Sequence, residues 1–174
     1  MMTELLIIGG GIAGISAAAR LSEIGQVTLL EAEDTLAHHA SSRSAAMFEP
    51  RYGAPSVVGL SMASEAYFRS IPGVLSPRGL LLVAKAEARE AFDHDLAEMA
   101  YDSITFDEAR AFVPILNPDV VALTGYSAHA EDIDTDLLVQ GFAREAKARG
   151  AQILTRAKVT AIGKDGAGWR VDST

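Results

Sequence analysis

Leu5-Leu6-Ile7-Ile8 is a continuous apolar run that ends abruptly in Gly9-Gly10-Gly11. Four apolar residues in succession fit a strand buried on both faces of a parallel sheet, where helices cover both sides. Ile12 to Glu23 follows, rich in Ala, Ile and Leu and free of Pro, and reads as a helix that Gly25 is placed to stop. Val27-Thr28-Leu29-Leu30 then reads as a second strand ending at Glu31. Strand, turn, helix and strand within about thirty residues is the size of a βαβ unit.

The glycines of the turn have a spacing with a mechanism. In Gly9-x-Gly11-x-x-Gly14, the first glycine allows the tight turn out of the strand, and the second lets a pyrophosphate approach the backbone. The third lets helix and strand pack closely. Unpaired N–H groups at the helix start then face the phosphates with a partial positive charge. Glu31 lies about twenty residues on, where a carboxylate can bind ribose hydroxyls. That carboxylate would repel a 2′-phosphate, which disfavours NADP. The fingerprint alone serves FAD and NAD equally, since both contain adenosine diphosphate.

Beyond the unit, residues 37–54 are small, polar and without clear periodicity, a pattern of functional or irregular segments. Pro55 opens a helix running toward Phe68, which Ile71-Pro72-Gly73 ends. Leu80 to Ala84 reads as a strand, Glu87 to Ala100 as an amphipathic helix, Asp107 to Phe112 as a short helix and Val120 to Tyr126 as a strand. Asp134 is an N-cap for a helix from Thr135 to Arg149, with Gly150 as its stop. Gln152 to Leu154, Val159 to Ile162 and Trp169 to Val171 are short strands, the last two joined around Asp165-Gly166. The chain stops where a further strand would be expected, so it reads as the N-terminal portion of a longer protein.

Composition narrows the partners. The 174 residues carry a formal net charge of −8, which argues against nucleic acid as a partner. With no cysteine, disulfides, thiolate metal sites and sulfur-linked cofactors are excluded within the chain. The N-terminus has an acid where a signal peptide is basic, and Leu5 to Ile8 is too short for a membrane span, so a cytoplasmic location is expected. His38, His39, His94 and His129 lack metal-ligand spacing. Asp132, Asp134 and Asp136 alternate like a calcium loop but lack its glycine and distal glutamate, so capping explains them better and no metal is expected.

The segment Ala40-Ser41-Ser42-Arg43-Ser44-Ala45-Ala46, entered through His38-His39, resembles the second FAD segment of the D-amino-acid oxidase and glycine oxidase superfamily. The run on through Met47-Phe48-Glu49-Pro50-Arg51-Tyr52-Gly53, and the later Asp132-Ile133-Asp134-Thr135, look most like the D-arginine dehydrogenase branch. The resemblance implies an α/β fold. Residues 1–78 and 131–174 would form a Rossmann-like FAD-binding domain with a parallel sheet and a small antiparallel meander, while residues 79–130 would begin an inserted α+β substrate domain. It places Gly9, Gly11, Ala13 and Gly14 at the pyrophosphate turn, Glu31 and Ala32 at the adenosine ribose, and the backbone of Val159 at adenine. Ala40, Ser41, Ser42, Arg43, Ser44, Ala45, Ala46 and Met47 would run along the pyrophosphate, ribityl chain and flavin. Hydroxyls there can donate hydrogen bonds, and Arg43 can neutralise phosphate charge.

The same resemblance implies an activity. An amine or amino-acid substrate would lose its Cα hydride to the flavin, leaving an imine that water hydrolyses. A protonated ammonium has no lone pair to assist, so activity should rise with pH. Met47, Tyr52 and Leu80 fall at substrate-side positions. Met47 and Leu80 are apolar where relatives accepting cationic D-amino acids are polar or acidic, which suggests a small or hydrophobic substrate side chain. The resemblance assigns no catalytic residue within these 174 positions. The arginine that would bind the substrate carboxylate is expected beyond Thr174, and Arg51, Arg78 and Arg110 do not match it. The portion alone is not expected to turn over substrate. Two competing readings are an NAD-dependent dehydrogenase and a non-catalytic nucleotide-binding module.

Overall fold

The computed structural model describes residues 3–174. The chain opens with β1 (Leu5–Ile8), α1 (Ile12–Leu21) and β2 (Val27–Leu30), then a 3-10 turn at Ala40–Ser42. Next come β3 (Met47–Phe48), α2 (Pro55–Ser70), β4 (Leu75–Pro77) and β5 (Leu80–Ala84). A second 3-10 turn, Ala86–Ala88, leads into α3 (Arg89–Glu98), β6 (Asp102–Ser103) and α4 (Phe106–Phe112). The remainder is β7 (Leu123–Ser127), β8 (Glu131–Ile133), α5 (Thr135–Ala148), β9 (Gln152–Leu154), β10 (Val159–Asp165) and β11 (Gly168–Ser173). These elements fall into two compact units, one holding the chain to Ala45 together with Asp134–Thr174, the other Ala46–Ile133. Among the described residues, no helix is long and apolar enough to cross a membrane.

In the first unit, β1, β2 and β9 form a parallel sheet in that order, with Leu5 opposite Val27 and Thr28 opposite Gln152. The central strand β2 is buried at all four residues, as a strand flanked on both edges and covered on both faces should be. β1 departs from the expectation of burial on both faces. It is an edge strand of this sheet, and Leu6 and Ile8 point outward while Leu5 and Ile7 are half-buried. α1 and α5 pack on each other, and the residues they bury are Ile15, Ala18 and Ala19 of α1 and Leu138, Val139, Phe142, Ala143 and Ala146 of α5. Alanine at the contact lets the helix axes approach closely. β10 and β11 pair antiparallel through the turn at Gly166, whose φ is +57°.

Helix ends test the sequence signals one by one. Asp134 caps α5, its Oδ1 accepting from the N–H of Leu137 at 2.8 Å, and Gly150 leaves the helix in the left-handed region at φ +90°. Gly25 does something other than stop α1. The helix ends at Leu21, and Gly25 makes room for the Glu4 carboxylate, which a Cβ there would meet at 2.6 Å. That carboxylate accepts from the N–H of Gln26 at 2.8 Å.

The second unit holds two antiparallel sheets, ordered β3-β8-β4 and β5-β7-β6. β7 is central to the latter and mostly buried, pairing Leu80 with Ser127 and Ala84 with Leu123. A Cβ on Gly125 would collide with Leu96 of α3, so glycine lets that helix close on the sheet. Phe112 of α4 stacks on Tyr126, with ring centroids 4.6 Å apart. Val120 to Ala122, read as part of this strand, lie outside it, since Val120 and Val121 turn back on the carbonyl of Asn117. The two-residue β3 and β6 and the three-residue β4 had no periodicity to announce them. Residues 87–100 divide into a 3-10 turn and α3, which buries only Phe92.

Replacing Asp134 by Ala should destabilise the first unit by about 1 kcal/mol, the cost of a lost N-cap, and chemical denaturation would measure it.

Candidate cofactor site

The site is built from the glycine turn upward. Gly9 leaves β1 at φ +99°, a conformation that costs L side chains dearly, and its N–H donates to the carbonyl of Leu30 at 2.8 Å. Gly14 lies in the first turn of α1, where a Cβ would be driven into the carbonyl oxygen of Gly9. Helix and strand can approach this closely only with glycine there. A Cβ on Gly11 would meet Ser41 Oγ at 3.2 Å. The first and third glycines therefore do what the fingerprint requires, and the second sits under the Ser41 loop.

Gly10 is a site residue that the motif spacing passes over. Its N–H donates to Glu31 Oε2 at 2.6 Å, and a Cβ would collide with Leu36 and crowd Glu31. The unbroken triplet Gly9-Gly10-Gly11 was the available signal, since the template asks nothing of the second position. Glu31 is buried and clasped from both sides, because its Oε1 accepts from the N–H of Glu33 at 2.9 Å. Burial alone would raise the Glu31 carboxyl pKa. The backbone N–H groups of Glu33, Gly10 and Ala32, with the His39 charge, outweigh that and hold it below the ordinary carboxylate range. His39 Nε2 lies 3.0 Å from Glu33 Oε1 at the rim.

α1 starts without a side-chain cap of its own, Gly11 being the N-cap, and without an acid in its first turn. Of its first donors, the N–H of Ile12 is taken by Ser41 Oγ at 3.0 Å. The N–H groups of Ala13 and Gly14 come before the first intrahelical bond, from Ile15 to Gly11, and find no acceptor among the described residues. Open donors, a positive helix end and glycine in place of bulk make this cradle fit a pyrophosphate. Glu31 keeps lone pairs beyond those bonded to Gly10 and Glu33, so it can still accept ribose hydroxyls. The residues present therefore fit an adenine dinucleotide.

Other site residues lie where the chain order puts them. Ala40, Ser41 and Ser42 form the 3-10 turn, with Ser41 half-buried, while Ser42, Arg43, Ser44 and Ala45 are exposed. Arg43 Nε donates to the carbonyl of His38 at 3.2 Å, which folds the loop on itself. Ala32 is exposed beside Glu31, and Val159 opens β10. Ala46 adopts φ +51°, a strained value for a residue with a side chain, and its carbonyl accepts from the N–H of Ile133 at 2.6 Å. In the second unit Met47 starts β3, Leu80 starts β5, and Tyr52 is 60% exposed.

The family model described as DAO, FAD dependent oxidoreductase, matches residues 4–174, from the start of β1 through the last strand. The chain belongs to this family of FAD-dependent oxidoreductases. FAD is accordingly the cofactor that the cradle fits. Solved structures share the fold at low identity. An L-alpha-glycerophosphate oxidase from Mycoplasma pneumoniae with FAD bound superposes with a TM-score of 0.82 at 23% identity, over 99% of this chain and 50% of its own. L-proline dehydrogenase from P. horikoshii gives 0.79 at 21% identity, covering 98% of this chain and 49% of its own. Glycine oxidase from Geobacillus kaustophilus gives 0.78 at 22%, covering 99% and 51%. The chain thus spans about half the length of these flavoproteins.

Gly14→Ala should abolish FAD retention while leaving the second unit folded, as read by flavin absorbance after gel filtration. Glu31→Gln should weaken FAD binding about tenfold or more, the worth of a hydrogen bond to a charged group. Because the Glu31 pKa is depressed in the folded protein, its stabilisation is full above the ordinary carboxylate range and disappears as pH falls through the folded value. Denaturation at a series of acidic pH values should therefore show wild type losing its advantage over Glu31→Gln.

Proposed function

We propose that this chain is the cofactor-holding portion of an FAD-dependent oxidoreductase that oxidises D-amino acids or related amines. The observation that carries the proposal is the cradle itself: open N–H groups at Ala13 and Gly14, beside a clasped Glu31, in a chain that matches an FAD-dependent family over residues 4–174. That match favours flavin over nicotinamide, and an oxidoreductase over a non-catalytic nucleotide-binding module. Two of the similar folds are named for amino-acid substrates, glycine and L-proline, which supports the amine class. The run from Met47 to Gly53 and the motif Asp132-Ile133-Asp134-Thr135 favour the D-arginine dehydrogenase branch within it.

When bound, FAD supplies the acceptor for the substrate's Cα hydride. This chain's own contribution is binding and orientation. Ala13 and Gly14 would donate to the pyrophosphate, Glu31 would accept from the ribose, and the loop from Ala40 to Ala46 would run along the cofactor, with Ser41 held at the helix start by the N–H of Ile12. Residues 79–130 begin the substrate domain, and Met47, Tyr52 and Leu80 form part of the substrate wall. Met47 and Leu80 present no charge, so the preferred substrate carries a small or apolar side chain.

The test is an anaerobic screen of amino acids against the protein expressed with any coding sequence downstream of Thr174, watching the flavin bleach. Small or apolar D-amino acids should bleach it faster than D-arginine, and kcat/KM should climb with pH as the substrate ammonium loses its proton. Bound FAD that no amine reduces would overturn the proposal.

A further inference from the structure

Glu49 is a buried carboxylate with no cation beside it. It is 7% exposed, and among the described residues no Lys, Arg or His forms an ion pair with it. A buried charge without a counter-ion is expensive unless hydrogen bonds replace the lost water. Here hydroxyls do so. Tyr101 Oη and Ser127 Oγ both donate to Glu49 Oε2 at 3.2 Å, and the N–H of Arg51 reaches Oε1 at 3.3 Å. Ser127 is itself held, because its Oγ accepts from the N–H of His129 at 3.2 Å.

The carboxylate and its two hydroxyl donors come from separate parts of the second unit. Tyr101 follows α3, its N–H on the carbonyl of Leu96, and precedes β6. Ser127 ends β7, directly opposite Leu80 in the ladder. Glu49 follows β3 and begins the turn in which the N–H of Tyr52 donates to its carbonyl at 3.1 Å. One carboxylate therefore ties the sheet containing Met47 to the sheet containing Leu80, and braces the turn bearing Tyr52. Its hydroxyl partner senses the same neighbourhood: burial, then the Glu49 charge, then Tyr52, push the Tyr101 phenol well above its ordinary pKa.

We infer that Glu49 is a positioning residue: through Tyr101 and Ser127 it fixes Met47, Tyr52 and Leu80 relative to one another and so sets how tightly substrate is held. This inference rests on the substrate-wall role given to those residues above. Glutamate suits the task better than its amide because an ionised carboxylate only accepts, so both hydroxyls must point at it. Glutamine in its place must turn its NH2 either toward both hydroxyls or toward the N–H of Arg51, where donor meets donor.

Glu49→Gln, Tyr101→Phe and Ser127→Ala would be made in the protein expressed with any coding sequence downstream of Thr174. Hydrogen exchange at the Arg51 and Tyr52 amides reads the positioning without any need for turnover. Glu49→Gln should speed it about tenfold, the factor one charge-assisted bond commands, with FAD content unchanged. In parallel, KM for a substrate that bleaches the flavin should rise about tenfold while kcat stays within about twofold, because uniform binding and not the chemical step is lost. Tyr101→Phe and Ser127→Ala should each give part of both effects, and they stand in if Glu49→Gln fails to fold. Unchanged exchange in the folded variants would overturn the inference, as would faster exchange with KM unaltered. If no amine bleaches the wild-type flavin, the proposed function falls, while the exchange result still decides whether Glu49 holds the turn.

Discussion

The clasp of Glu31 is the interaction on which the first unit turns. A carboxylate at the end of a buried strand would normally be a liability, yet this one accepts backbone N–H bonds from Gly10 on one side and Glu33 on the other. The first fixes the glycine turn against the end of β2, and the second fixes the chain as it leaves that strand. The strand ends are locked further by backbone bonds from Gly9 to Leu30 and from Glu31 to Leu154. The turn is thus pinned to the end of β2 by hydrogen bonds within the protein, which leaves little to reorganise if a ligand binds there. Preorganisation of this kind lowers the entropic cost of binding. The same carboxylate therefore shapes the turn from both sides.

The two buried carboxylates among the described residues are stabilised in different ways. Glu31 is served by main-chain N–H groups, which the fold supplies at fixed positions, and its ionised form is favoured. Glu49 is served mainly by side-chain hydroxyls from elements distant in sequence, Tyr101 and Ser127. The first arrangement needs only the βαβ unit, which brings Gly10 to the end of β2. The second forms only once two antiparallel sheets have assembled, so Glu49 reports on tertiary order in the second unit as Glu31 reports on the βαβ turn.

Much of the architecture was legible because it rests on short-range physics. The strand, turn and helix from Leu5 to Leu21, the cap at Asp134 and the stop at Gly150 each depend on residues within a few positions of one another. Periodicity failed where elements are very short: β3, β4 and β6 have two or three residues and exist only because a partner strand is there to pair with. It failed too at Gly25, whose role is to admit the side chain of Glu4, a contact no local rule foresees. The ion pairs that pin β8, Arg69 to Glu131 and Arg78 to Asp132, likewise join residues far apart in the chain.

For the cofactor site, the sequence by itself determined the chemistry: glycines where a Cβ cannot be tolerated, a helix start without its own cap, and an acid one strand away. Those are constraints of backbone conformation and charge, readable from residue type and spacing. Only the tertiary structure decided how the parts engage. It gave Gly10 the bond to Glu31, set Ser41 on the first N–H of α1, and gathered Tyr101 and Ser127 around Glu49. Such contacts join positions separated by 21 to 78 residues, and nothing but the folded path of the chain brings them within hydrogen-bond range.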